Sequence, residues 1–313
     1  MSTGGPKPDA NAGHRAARRK GGWLSLASEL TRARVTVAVT LTSVTGYLAA
    51  AGRLEWAMWL PVLGVFLMAS GSSALNQVQE ARTDGMMKRT RNRPIPAGRV
   101  ERTTAFFIAG MLVLLGLFCL ASVEENTSAS VFLGVFALVW YNGVYTPLKR
   151  LTAFAVVPGA LIGAIPPVIG YAAAGGDPTD PFILLVASFF FVWQIPHFWL
   201  LLLMWGDQYR DAGLPTLTRV FSQRQLQRIT FMWILATATG GLCLPALAQD
   251  GMTLPWKVAM VFASVWLAME SISLLRLRRE RASVFRRAFL QINVYAMMTA
   301  LFLSLSALGP EVG

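Results

Sequence analysis

The chain has 313 residues, 54% of them hydrophobic and 14% charged, with a mean hydropathy of +0.50, which excludes a soluble domain of ordinary composition and predicts an all-α, multispan membrane helical bundle. The net charge of +12 implies no nucleic-acid partner, because in a membrane protein an excess of Lys and Arg marks cytoplasmic loops facing anionic lipid. Cys119 and Cys243 both lie in apolar runs without metal-ligand spacing and read as packing residues.

Residues 1–30, with Arg15, Arg18, Arg19 and Lys20, read as a disordered basic cytoplasmic tail, since no short apolar segment with a small-residue cleavage site follows. Residues 31–308 form the expected membrane domain around a central cavity, and 309–313 a short C-terminal tail. Nine apolar runs are long enough to cross a bilayer: Val35 to Ala51, Trp56 to Leu75, Thr104 to Val123, Ala129 to Tyr145, Ala153 to Ala173, Pro181 to Met204, Ile229 to Ala248, Leu254 to Leu275 and Phe289 to Leu308. Basic residues collect in alternate connections, at Arg82 to Arg102, Lys149 and Arg150, Arg210 to Arg228, and Arg276 to Arg287. That asymmetry predicts a multi-pass protein of the cell's inner membrane, with the N-terminus cytoplasmic and the C-terminus on the opposite side. Within the fifth run, Pro166 and Pro167 with Gly159, Gly163 and Gly170 predict a kink and a close approach of neighbouring helices.

Chemistry concentrates where the second run meets water. Asn76, Glu80 and Asp84 recur every four residues, so a helix continuing through them stacks three oxygen-bearing side chains on one face. Such a face suits a hard cation such as Mg2+, which takes one or two carboxylates and leaves the rest of its shell to water and phosphate. Lys88, Arg89, Arg91 and Arg93 follow at once, and donors of this kind suit a phosphate whose charge a metal only partly offsets. The competing reading is a solvated loop in which the acids merely pair with the bases. After the sixth run, Asp207 and Asp211 again stand four apart, on the same side of the membrane by the count of crossings. Two acid pairs converging with a basic cluster favour a metal-bridged diphosphate over the solvated loop.

Asn-x-x-x-Glu-x-x-x-Asp followed by MKRTRNRPIPAGRV, together with SELTRARV at Ser28 to Val35, YTPLKR at Tyr145 to Arg150, and PHFW with DQYRDAGLPTL across Pro196 to Leu217, resembles the UbiA-type intramembrane prenyltransferases. Within them it is most similar to the branch that farnesylates protohaem. Glu80 stands where that family commonly has Asp, Arg32-Ala33 where it has Lys-Pro, and Pro215-Thr216 where it has Pro-Met. The resemblance implies farnesyl diphosphate and haem B as substrates, Mg2+ as cofactor, the lipid bilayer as surroundings and a downstream haem-modifying enzyme as a further partner. It implies one metal on Asn76, Glu80 and Asp84 and another on Asp207 and Asp211, with diphosphate contacts from Lys88, Arg89, Arg93, Lys149 and Arg150. Asp84, Asp207 and Lys149 are the residues expected to carry catalysis, and His197 and Tyr145 the haem pocket, His197 being equally readable as a hydrogen-bonded core histidine. Tyr141, Phe198 and Trp199 offer further aromatic faces near the positive charge, or an ordinary interfacial belt. Other acceptors (a quinone precursor or a chlorophyll-type ring), a secondary transporter and a non-catalytic assembly subunit are the alternatives.

Overall fold

The computed structural model describes residues 22–247, 252–276 and 282–309, and among them the secondary structure is helical with no strand. Residues 1–21 of the expected tail, Asp250, part of the last basic connection and residues 310–313 lie outside the described residues. Where the tail was expected to be disordered up to residue 30, Trp23–Leu30 forms a helix, α1. Its C-terminal carbonyls explain the order: Gln77 Nε2 donates to the carbonyls of Glu29 and Leu30, both at 2.8 Å, and Leu30 is buried.

The long helices are α2 (Ala33–Ala51), α3 (Trp59–Met86), α4 (Arg102–Ala121), α5 (Thr127–Leu138), α6 (Leu161–Ala173), α7 (Pro181–Asp211), α8 (Gln223–Leu247), α9 (Leu254–Ser271) and α10 (Ala282–Ala307). With their short flanking turns they supply nine helices long and apolar enough to cross a membrane among the described residues, at the places the apolar runs predict. Many large side chains are exposed on the outer faces, among them Phe107, Leu114, Phe118, Phe132 and Phe262, as a lipid-facing surface requires. In the Thr-rich first span the threonine hydroxyls bond to carbonyls of the preceding turn, as Thr40 does to Thr36 and Thr45 to Leu41, while the Ser43 hydroxyl is buried without a partner.

The small residues set helix spacing. A Cβ added at Gly46 would lie 1.9 Å from the Pro167 carbonyl oxygen, and one at Gly170 would lie 1.9 Å from the Ser43 carbonyl oxygen. Thus α2 and α6 touch backbone to backbone across the Pro166-Pro167 segment, as the sequence predicts. One feature was not legible: α5 opens into a π-helical turn over Val139–Tyr145. The wide turn frees backbone groups for side chains of α3. Gln79 Nε2 donates to the Asn142 carbonyl at 2.9 Å, while Asn142 Nδ2 donates to Gln79 Oε1 and to the Ser72 carbonyl, both at 3.1 Å.

Helix α3 runs eleven residues beyond Leu75, to Met86, and α7 runs to Asp211, so both acid motifs stand on helices rather than in loops. Their ends meet at one end of the bundle. The backbone N–H of Arg89 donates to Gln208 Oε1 at 3.0 Å, and the Arg89 guanidinium donates to the Tyr209 hydroxyl at 2.7 Å.

Candidate active site

Asn76, Glu80 and Asp84 lie one turn apart along an unbroken stretch of α3, which puts their side chains on one face. Each already has a partner. Arg32 donates from Nη2 to Asn76 Oδ1 at 2.7 Å, and Asn76 Nδ2 in turn donates to Thr146 Oγ1 at 3.0 Å. Lys149 Nζ pairs with Glu80 Oε1 at 2.5 Å, and Arg93 Nη1 with Asp84 Oδ2 at 2.6 Å. Three cations from three different segments therefore face two carboxylates and a neutral amide.

The surplus charge belongs to Arg32. It sits at the joint between α1 and α2 in the left-handed region, φ 51° and ψ 48°, a conformation that costs a non-glycine residue energy and turns its side chain into the bundle. Its other hydrogen bond, from Nη1 to the Tyr141 hydroxyl at 3.4 Å, is also to a neutral group, and its Nε is buried without a partner. Burial pushes the Arg32 guanidinium down in pKa, but Tyr141, Glu80 and Asp84 more than offset this and leave it raised, hence firmly charged. Arg93, in contrast, is lowered by burial and by repulsion from Arg32. The two guanidinium groups feel each other across the acid row, which is the electrostatic condition of an anion receptor.

A path of aromatic rings leads inward. Lys149 Nζ lies 4.8 Å from the centroid of the Tyr145 ring, which neighbours Tyr141 at 5.7 Å and Phe198 at 6.1 Å. Tyr145 is buried, and a Cβ at Gly159 would lie 2.4 Å from its ring, so only glycine leaves room for it there. Phe198 in turn lies 5.4 Å from His197, which packs between Trp193 at 5.1 Å and Phe289 at 4.8 Å. His197 Nδ1 is 2.9 Å from Asn293 Oδ1, and the Asn293 amide nitrogen donates to the Phe289 carbonyl, which fixes its oxygen toward the imidazole. Because that oxygen only accepts, Nδ1 donates to it, and in the neutral form of the ring Nε2 holds the lone pair. Trp199 does not join this path; it is buried near Trp233, with ring centroids 6.1 Å apart, in a cluster with Leu217 and Leu226.

The remaining sequence candidates stand at the rim. Lys88 is exposed, Arg89 clasps Tyr209, and Arg150 donates from Nη2 to the Gln79 carbonyl at 2.7 Å. Asp207 and Asp211 share this end, with side chains 82% and 74% exposed that face Arg210 at 2.8 and 3.9 Å. The last turn of α7 presents both carboxylates to solvent with Arg210 between them. No group of three or more His, Cys, Asp or Glu is gathered as a metal cage among the described residues. The hard oxygens of Asn76, Glu80 and Asp84 on one helix face nonetheless fit Mg2+, whose remaining ligands are water and substrate phosphate. Reading the sequence assigned no role in the site to Arg32, Gln79, Asn142 or Thr146; the signal was there in polar residues set within or beside apolar runs.

The model of the UbiA prenyltransferase family matches residues 37–295, and the chain belongs to that family. It is 36% identical over 276 residues to a protoheme IX farnesyltransferase of Geobacter sulfurreducens, covering 88% of this chain and 97% of that one. It is 39% identical over 217 residues to a protoheme IX farnesyltransferase of Nitratidesulfovibrio vulgaris, covering 69% and 75% of the two chains. Its fold is similar to the structure of a UbiA homolog from Archaeoglobus fulgidus bound to GPP and Mg2+, with a TM-score of 0.68 at 14% identity over 90% of this chain and 99% of that one.

Proposed function

We propose that this protein transfers the farnesyl group of farnesyl diphosphate to a vinyl group of haem B, giving haem O. The single observation that carries the reading is the half-buried surplus cation, Arg32 among Glu80, Asp84, Lys149 and Arg93, beside a row of aromatic rings. Likeness to the protoheme IX farnesyltransferases supports the choice of acceptor.

Asn76, Glu80 and Asp84 would hold Mg2+, which when bound offsets charge on the diphosphate and makes it a better leaving group. The chain's own cations do the rest of that work: Arg32, Lys149 and Arg93 are placed to bind phosphate oxygens, and Lys88, Arg89 and Arg150 stand at the entrance. Asp207 and Asp211 would hold a second ion once Arg210 releases them. The allylic C–O bond breaks, the electron pair leaves with the diphosphate, and the farnesyl cation forms beside Tyr145, whose ring face favours positive charge. The vinyl group then attacks, and water adds to the resulting cation and loses a proton, leaving a hydroxyethylfarnesyl group. The apolar rings packed along the path, Tyr145 among them buried, would keep water from the allylic cation before that attack. His197, with its lone pair on Nε2, is suited to hold the haem iron.

The basic end of the bundle carries Arg32, Arg82, Arg93, Lys149, Arg219 and Arg286, and we place it on the cytoplasmic side of the cell's inner membrane, with the N-terminus inside and the C-terminus outside. A haem-modifying enzyme would consume the product. The test is incubation of purified protein with Mg2+, haem B and farnesyl diphosphate, followed by mass spectrometry; a farnesylated haem is expected, and its absence while a quinone precursor is prenylated would reassign the acceptor.

A further inference from the structure

The acid row and the cations around it form a closed set of pairs: Lys149 with Glu80, Arg93 with Asp84, and Arg32 with Asn76. Every group suited to a metal is held by a group suited to a phosphate. We propose that these pairs are a resting-state lock that metal and diphosphate open only together, the carboxylates passing to the metal as the cations pass to the phosphate oxygens.

The physical reason is the cost of breaking one half of a sheltered ion pair. The Asp84 side chain is 2% exposed, and those of Glu80, Lys149 and Arg93 are 18%, 23% and 23% exposed. A divalent ion arriving alone would take Glu80 and Asp84 and leave Lys149 and Arg93 facing a new positive charge, with little water to screen them. A diphosphate arriving alone would strand two carboxylates beside an anion. Removing one partner from such a pair is strongly unfavourable, whereas exchanging both partners at once leaves no charge uncompensated. The electrostatic sum agrees: the row carries one cation more than it has carboxylates, and a prenyl diphosphate bearing one divalent ion keeps a residual negative charge to meet it.

The cations come from segments separate from the helix that carries the acids. Arg93 is on the 87–101 connection, Lys149 lies just past the π-helical turn, and Arg32 stands at the strained joint before α2, while the three oxygen ligands share one rigid helix. Arg32, with a buried and unpartnered Nε and only neutral hydrogen-bond partners, is the cation of the row that has no carboxylate to give up when the anion arrives.

The inference rests on the diphosphate-binding reading above, and equilibrium dialysis separates the two. The detergent-purified full chain is dialysed against Mn2+ alone, inorganic pyrophosphate alone, and both, with protein-free micelles as the blank, so that complexes in free solution cancel. In the parent protein each ligand is expected to raise the affinity of the other by on the order of 10–100-fold, equally in both directions. Direct metal–phosphate contact could give that much by itself, so the variants decide. Lys149→Gln, and independently Arg93→Gln, frees a carboxylate; each is expected to tighten Mn2+ binding in the absence of pyrophosphate by about tenfold while shrinking the mutual enhancement. Mn2+ affinity unchanged or weakened in both variants, or no mutual enhancement in the parent, overturns the lock and leaves prenyl transfer standing. Retention of neither Mn2+ nor pyrophosphate under any condition overturns both.

Discussion

Tyr145 and His197 share one neighbour, the ring of Phe198, whose centroid lies 6.1 Å from the first and 5.4 Å from the second. Packed rings thus link the Lys149–Glu80 pair to the imidazole, although they come from helices far apart in the chain. If Phe198 keeps water off the allylic cation on its way to the acceptor, Phe198→Ala will release pyrophosphate without a matching yield of farnesylated haem. Chromatography of farnesol against farnesylated haem measures the leak; an unchanged ratio would remove Phe198 from the path.

Asp84 and Asp207 are separable by stability. Both Asp84→Ala and Asp207→Ala are expected to lose at least most of their turnover, since each is assigned to a metal. Only the first should unfold more easily, because it strands Arg93 beside a sheltered site, a loss of up to about 3 kcal/mol after discounting for the part-exposed arginine. The exposed Asp207 carboxylate leaves stability nearly unchanged, within about 0.5 kcal/mol. Thermal unfolding in detergent alongside the activity assay checks both halves.

His197→Ala is expected to abolish the shift of the haem Soret band on binding. Asn293→Leu keeps the imidazole but removes the oxygen that holds the proton on Nδ1, so it should weaken haem binding by roughly 10-fold, in line with loss of an outer-shell orienting group. Wild-type spectra in both variants would return His197 to a packing role.

Gly170→Val places a side chain against the Ser43 carbonyl, where even a Cβ would lie 1.9 Å from the oxygen. The helices α2 and α6 must then separate, at a cost of about 1–3 kcal/mol or more, read as a lower unfolding temperature. The variant should fold less well without any selective change in the affinity for pyrophosphate.

At the end of the bundle that carries the acid row, Glu29 and Arg99 clasp α1 to the 87–101 connection, and the Arg99 hydrogen bond holds the Glu29 carboxyl below the usual carboxylate range. A lowered folded pKa means the clasp contributes fully above the ordinary carboxylate value and fades as pH falls through the lowered one. The protection of residues 23–30 against hydrogen exchange, taken relative to the intrinsic amide rate at each pH, should therefore hold steady around neutral pH and fall only in acid, and Glu29→Gln should remove that pH dependence.

The nine spans and the acid row were legible because each is a local property: an apolar run of sufficient length, or a four-residue recurrence that a continuing helix places on one face. Arg32 was not, since its importance comes from a left-handed joint that no spacing signals and from contacts with Asn76 and Tyr141, 44 and 109 residues away. The π-helical turn escaped for a similar reason: Asn142 is one polar residue in an apolar stretch until Ser72 and Gln79 are seen to bond it. Asp207 and Asp211 were placed at the correct end, but which way a carboxylate turns in the final turn of a helix depends on its neighbours, here Arg210.

The most direct measurement is the stoichiometry of a single reaction mixture holding the protein, haem B, farnesyl diphosphate and Mg2+. The predicted result is one pyrophosphate released for each farnesylated haem formed, with both products abolished by chelation of the metal and by Asp84→Ala. Farnesylated haem accumulating at an undiminished rate after chelation, or in the Asp84 variant, would contradict the account.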